Sequence, residues 1–154
     1  MYEERVAQAV ENFKKGYNCS QSVVIAFADL YGIAPELAAR MAASFGGGIG
    51  RMRQTCGAAC GMFLLAGLET GATDPADRAG KGANYEVVQH LAAQFREANG
   101  SIICADLLGL SRNAPTPTEP EARTAEYYKK RPCVKMVETA ATLFARFLES
   151  RRQG

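Results

Sequence analysis

The chain has 154 residues, the length of one ordinary domain, and 47% of them are hydrophobic, which is enough for a core. Its 18 Lys and Arg residues and 16 Asp and Glu residues are interspersed and give a net charge of +2, so nothing indicates nucleic-acid binding. Abundant alanine, few aromatic residues and no Trp favour helices over strands.

No segment contains the ~20 consecutive apolar residues that are needed to span a bilayer. Residues 1–16 have apolar side chains at helical spacing with charges between them, unlike the charged start and apolar stretch of a signal peptide. We therefore expect a cytoplasmic protein that does not associate with membranes.

Two helices are predicted first along the chain. The first covers residues 2–15 and is closed by Gly16, which can adopt the left-handed conformation that often ends a helix. The second begins near Cys19, where Asn18 is a candidate N-cap, and continues to Gly32.

A glycine-rich run separates the third predicted helix from the fourth. Pro35 suits the first turn of the third helix, which extends over residues 35–45. Residues 46–50, GGGIG, break that helix. Thr55 is a candidate N-cap for a fourth helix over residues 56–70.

The second half contains four more predicted helices and one Pro-rich loop. The first of them begins near residue 76 or residue 84 and ends at residue 98, and the others cover residues 101–110, 119–130 and 133–152. The segment 101–110 is apolar enough to be buried. Residues 111–120 contain three prolines and form either a surface flap or a plain connector. Since no stretch alternates with period two, we predict a single all-α domain of six to eight helices over residues 1–154.

Four of the five cysteines lie at predicted helix starts: Cys19, Cys56, Cys104 and Cys133. A helix N-terminus offers unpaired N–H groups and a partial positive charge, which stabilise a thiolate and lower its pKa. Thiolates are the ligands of iron–sulfur clusters and of many metals. In a reducing compartment this pattern indicates metal, cluster or redox chemistry rather than a disulfide framework.

The glycines near these cysteines allow two interpretations. Gly57 and Gly61 share one face of the fourth helix, where they permit either tight helix packing or the close approach of a cofactor. Gly47 and Gly48 belong to a run whose N–H groups can surround a cluster edge, or which is a flexible connector. The run fits neither the phosphate-binding P-loop nor the G-x-G-x-x-G pattern.

The strings NCSQSV, GGGIG, CGAACG and CADLLG and the final PC together resemble a family of redox-active proteins named for its C…CGAxxG…C…C cysteine pattern. Such proteins are encoded beside oxidoreductases or transporters in anaerobic prokaryotes, which implies a neighbouring oxidoreductase as redox partner. A related domain of split-Soret type cytochromes has an inferred iron–sulfur centre. The resemblance implies that Cys19, Cys56, Cys104 and Cys133 are the characteristic cysteines, while the absence of C-x-x-C-H leaves the haem part without a counterpart.

Three functions follow as hypotheses. The first is electron transfer with a 2Fe-2S or 4Fe-4S cluster on the four thiolates. The alternative is a metal-free thiol–disulfide oxidoreductase in which Cys56 attacks and Cys19 or Cys104 resolves the mixed disulfide. The second alternative is a helical scaffold with structural zinc, although zinc usually takes ligands in closely spaced pairs.

Two smaller points stay open in the sequence. Cys60 fills the second x of the motif and is a spare ligand, a resolving thiol or a buried apolar residue. Arg51 and Arg53 beside the glycine run either hold an anionic partner or cluster charge or are a solvated pair. A homodimer suits a small helical redox protein, but nothing in the sequence requires one.

Overall fold

The computed structural model describes residues 1–111 and 113–153, which form eight α-helices and no strand. The helices are α1 (Glu3–Lys14), α2 (Cys19–Phe27), α3 (Pro35–Ala42), α4 (Gly57–Thr70), α5 (Arg78–Asn99), α6 (Cys104–Leu107), α7 (Ala125–Lys130) and α8 (Cys133–Gln153). Short 3₁₀ turns extend α2 over Ala28–Tyr31 and α3 over Ala43–Phe45. The predicted all-α class and the predicted number of helices are confirmed.

Helix α4 is the centre of the fold. It packs on α2, α5 and α8, while α1 packs on α2 and α8. Most residues of α4 are buried, because this helix is apolar nearly all round. Around it, Phe27 of α2 and Phe144 of α8 meet edge to face, with ring centroids 5.1 Å apart. Each such fully buried side chain contributes roughly 2 kcal/mol of burial free energy.

The predicted start signals of α2 and α3 are confirmed. The Asn18 side chain accepts a hydrogen bond from the backbone N–H of Gln21 at 2.9 Å, and the Gln21 side chain accepts one from the backbone N–H of Asn18 at 3.0 Å. This reciprocal pair is a capping box, which fixes where α2 and therefore Cys19 begin. Pro35 is the first residue of α3.

The prediction that Thr55 caps α4 is wrong. The N-cap residue is Cys56, which makes no side-chain capping bond, and Thr55 instead pairs with Ile103 in an isolated antiparallel bridge. The extended backbone of the bridge holds Thr55 outside the helix, so its hydroxyl is not used as a cap.

Helices α6 and α7 are shorter than predicted. Gly109, with a φ of 69°, ends α6 after one turn, and Leu110 beyond it is 39% exposed, so the segment 101–110 is not wholly buried. Helix α7 begins only at Ala125, because the Thr124 side chain accepts a hydrogen bond from the backbone N–H of Tyr127 and caps it. No helix in the described ranges is long and apolar enough to cross a membrane.

The α2–α4 contact gives a matched pair of glycine tests. A Cβ on Gly61 would lie 2.9 Å from the Ser20 carbonyl oxygen and 3.2 Å from Val23 Cβ, whereas a Cβ on Gly67 would meet nothing within 4 Å. Gly61→Ala should therefore destabilise the fold by about 2 kcal/mol through overpacking. Gly67→Ala should stabilise it by up to about 1 kcal/mol, because alanine is the better helix former.

Urea unfolding followed by far-UV circular dichroism measures both free energies. Equal effects of the two substitutions would contradict the assignment of Gly61 to the helix contact.

Candidate functional site

A cavity of about 430 Å³ lies where four helices begin, and its lining includes all four predicted cysteines. Cys19, Cys104 and Cys133 are the first residues of α2, α6 and α8, and Cys56 is the N-cap of α4. The predicted placement of four cysteines at four helix starts is therefore confirmed. We call this space, lined by Cys19, Cys56, Cys104 and Cys133, the cysteine cavity.

The Thr55–Ile103 bridge brings two of the cysteines together. The backbone N–H of Cys56 donates to the carbonyl of Ile102, and that of Cys104 donates to the carbonyl of Gln54, both at 2.6 Å. These two bonds lie on either side of the bridge, so the start of α6 is fastened to the start of α4. Two cysteines far apart in sequence thus share one local backbone unit.

The glycine run forms an unusual left-handed loop at the cavity. All residues from 47 to 53 except Met52 have positive φ, including the non-glycine residues Ile49, Arg51 and Arg53 at 66°, 63° and 61°. This conformation costs a non-glycine residue roughly 1–2 kcal/mol. Backbone bonds hold it, among them Gln54 N–H to the Gly48 carbonyl at 2.8 Å. Such strain is characteristic of functional sites.

Three of the four predicted cofactor-contacting glycines line the cavity: Gly47, Gly48 and Gly57. A Cβ on Gly48 would lie 2.6 Å from Cys104 Cβ, and one on Gly47 would lie 2.7 Å from Arg51 Cγ. A Cβ on Gly57 would lie 2.8 Å from the Phe45 carbonyl oxygen. These three glycines therefore allow the Cys104 side chain, the Arg51 side chain and the Phe45 backbone to approach the loop and α4 closely. The fourth predicted glycine, Gly61, is absent from the cavity lining and packs on α2.

Three of the cavity thiols have raised pKa values, contrary to the prediction that helix starts lower them, and burial is the largest cause at Cys56 and Cys104. Burial raises the pKa of Cys56 to about 12, although the backbone N–H groups of Ala58 and Ala59 oppose it. Burial likewise raises the pKa of Cys104, against a favourable interaction with Arg53. The pKa of Cys19 is raised by its hydrogen bond to Cys133 and by burial.

Cys133 is the exception among the four. A hydrogen bond from the Cys19 thiol, together with the charges of Arg131, Arg123 and Arg53, lowers its pKa to about 7 in spite of burial. Within the pair, the negative charge is therefore favoured on Cys133 and the proton on Cys19. The pKa is lowered at this one helix start, but through the neighbouring thiol and the arginine charges and not through the helix N–H groups that the prediction invoked.

Arginine supplies the positive charge of the cavity. Arg53 Nη1 lies 3.7 Å from Cys104 Sγ, and Arg51, Arg123 and Arg131 also contribute to the lining. The sequence indicated Arg51 and Arg53 but missed Arg123 and Arg131. The position of Arg131, two residues before Cys133, was the available signal, whereas nothing in the sequence placed Arg123 there.

Cys60 lies outside this arrangement. It is buried and absent from the cavity lining, and its Sγ donates to the Thr55 carbonyl at 3.8 Å. Burial raises its pKa to about 11. Its environment is that of a small buried residue, which makes it an internal control for experiments on the other four.

All five cysteines are free thiols. Within residues 1–111 and 113–153, no three Cys, His, Asp or Glu side chains are grouped closely enough to hold a single metal ion.

The fold and the site define an all-helical cysteine-motif domain, with four thiols around one cavity. Residues 17–147 match the model of the family described as "Putative redox-active protein (C_GCAxxG_C_C)", and the chain belongs to this family. Where that description writes GCAxxG, this chain has CGAACG at residues 56–61. Neither the curated proteins nor the solved structures that were compared with the chain gave a match.

The Cys19–Cys133 hydrogen bond gives a titration test. In the reduced chain, alkylation of Cys133 by iodoacetamide should be half-maximal near pH 7. Cys19→Ala removes the donor, which disfavours the thiolate, so the midpoint should rise toward the ordinary thiol pKa of 9.0. Cys19→Ser keeps a donor and should leave the midpoint low. Mass spectrometry of the Cys133 peptide measures the midpoint of alkylation. Identical midpoints for the alanine and serine variants would contradict the assignment of Cys19 as the hydrogen-bond donor to Cys133.

Proposed function

We propose that the protein transfers electrons with an iron–sulfur cluster held by Cys19, Cys56, Cys104 and Cys133. One observation carries the proposal: four thiols from four separate helix starts line a single cavity of about 430 Å³. Membership of a redox-active family agrees with it.

The donor set suits a cluster better than it suits a structural zinc ion. A cluster has several atoms, so its ligand sulfurs lie further apart than the four sulfurs around one zinc ion, which are each ~2.3 Å from the metal. The four cavity thiols come from four widely separated segments, whereas structural zinc usually takes its ligands in closely spaced pairs. When bound, the cluster would accept and release single electrons.

The residues of the chain would stabilise negative charge in the cavity. Arg53 lies beside Cys104, and the backbone N–H groups of Ala58 and Ala59 act to lower the pKa of Cys56. Hydrogen bonds to ligand sulfurs and the net charge around them set the reduction potential of such a site. Because most of the thiols are protonated before binding, loading releases protons and should weaken as the pH falls.

Anaerobic purification tests the cluster directly. We expect a brown protein with iron and acid-labile sulfide in stoichiometric amounts, whose visible absorption bleaches with dithionite. A colourless protein without iron after anaerobic reconstitution would refute the cluster.

Single serine variants test the ligand assignment. Cys56→Ser, Cys104→Ser and Cys133→Ser should each lose most of the visible absorption and iron, because each removes one thiolate. Cys60→Ser is the matched control: it is a buried thiol outside the cavity lining, so its iron content should stay at the wild-type level. Iron loss in Cys60→Ser but not in Cys133→Ser would reverse the assignment.

A second candidate function rests on the Cys19–Cys133 pair. A thiolate of low pKa beside a protonated thiol is the arrangement of a thiol–disulfide oxidoreductase. Cys133 would attack a substrate disulfide and release one substrate thiolate. Cys19, once deprotonated, would then attack the mixed disulfide, so that the substrate gains two electrons and the pair becomes a disulfide. The raised pKa of Cys56 favours Cys133 over Cys56 as the attacking thiolate.

The two functions differ in metal content and in the oxidised product. For the second, metal-free protein treated with oxidised glutathione should form a Cys19–Cys133 disulfide, detected by peptide mapping without reduction. Random pairing among the cysteines, or none, would count against this candidate. In either function electrons must pass to another molecule, so we propose a redox partner protein, such as an oxidoreductase encoded nearby.

A further inference from the structure

The Pro-rich segment before α7 lies over the cysteine cavity. Thr118, Pro120, Glu121 and Arg123 contribute to the cavity lining, although residues 115–122 are exposed to solvent on their other side. We call residues 114–123 the cover segment. The sequence left open whether this stretch is a flap or a connector, and the structure makes it part of the wall of the cysteine cavity.

Arginine side chains hold the cover segment in place. Arg51 Nη1 donates to the Pro117 carbonyl at 2.6 Å and also to the Glu119 carbonyl. Arg131 pairs with the Glu121 carboxylate. Arg123 donates to the carbonyls of Phe13 and Tyr17 at 2.9 and 3.0 Å.

No backbone–backbone hydrogen bond among the described residues joins the cover segment to a distant part of the chain. The prolines of the segment have no N–H, and its described backbone bonds, Ala114 to Ser111 and Thr124 to Ala122, close local turns. Hydrogen bonds from this segment to more distant described residues all use an arginine side chain. A segment held by a few side-chain bonds opens at a lower free energy than the helices that surround it.

The glycine loop is shaped for Arg51. Arg51 has a φ of 63°, and only a glycine at position 47 leaves room for its side chain, because a Cβ there would lie 2.7 Å from Arg51 Cγ. The strained loop thus presents one guanidinium to two carbonyls of the cover segment.

From this arrangement we propose that Arg51 is a positioning residue that latches residues 114–123 as a removable cover over the cysteine cavity. The closed cover limits access of water, dioxygen and thiol reagents to the cavity. Release of the two Arg51 bonds frees the part of the segment around Pro117 and Glu119 and opens the cavity there, while Arg123 and Arg131 still hold its C-terminal end and the helices stay folded. The proposal goes beyond the redox function and holds whichever group or pair the cavity uses.

Alkylation of the reduced, chelator-treated full chain by iodoacetamide tests the latch at each cysteine. In Arg51→Gln, Cys19, Cys104 and Cys133 should be labelled roughly tenfold faster than in wild type, because two charge-assisted bonds no longer oppose opening. Cys60, which lies outside the lining, should be labelled at the wild-type rate in the same sample. Loss of a cation by itself would slow thiolate labelling, so faster labelling reports opening.

Two further variants serve as an intermediate case and as a control for this experiment. Arg51→Lys keeps one cationic donor and should give an intermediate rate. Arg40→Gln removes an exposed arginine of α3 that is absent from the cavity lining and should label like wild type. Wild-type rates in Arg51→Gln, with helical content intact by circular dichroism, would overturn the latch.

The urea dependence of the labelling rates in the wild-type chain keeps the proposal testable if Arg51→Gln does not fold. Labelling of Cys104 should respond to low urea concentrations far less than labelling of Cys60, because the cover opens without global unfolding. The same urea dependence at both cysteines would show that the cavity opens only when the whole fold opens, and would overturn the proposal.

Discussion

The arrangement of the site depends on the close approach of α4 to the start of α2. Gly57 and Gly61 have no side chains, so the backbone of α4 contacts the Phe45 and Ser20 carbonyls at distances that a Cβ would not allow. That approach places the Cys56 end of α4 beside Cys19. The buried Phe27–Phe144 contact then positions α8, and Cys133 with it, against the same two helices.

Around this centre, burial and positive charge act on the thiols in opposite directions. Helix N–H groups at Cys56 and Arg53 at Cys104 favour thiolates, but the cost of removing a charge from water exceeds that benefit at both residues. At Cys19 the hydrogen bond to Cys133 adds to burial in raising the pKa. Only Cys133 combines a neighbouring thiol donor with several nearby guanidinium groups. The cavity is thus prepared for negative charge without ionising all of its sulfurs in advance.

The left-handed loop joins the site to its cover. Its strained residues have few conformations available once the backbone bonds to Gly47 and Gly48 form, and this rigidity keeps Arg51 and Arg53 directed to different targets. Arg53 lies beside Cys104, and Arg51 contacts the carbonyls of the cover segment. One short stretch therefore contributes both to the charge of the cavity and to its closure.

The sequence by itself determined the helical class, the caps of α2 and α3, and the four cysteines at helix starts. These features depend on local periodicity and on local hydrogen bonding, such as the Asn18–Gln21 pair. Only the tertiary structure decided that Thr55 pairs with Ile103, that Gly61 serves packing, and that Arg123 and Arg131 join the cavity. It also decided which thiol ionises most readily, because desolvation and charge at a cysteine are set by residues distant in sequence.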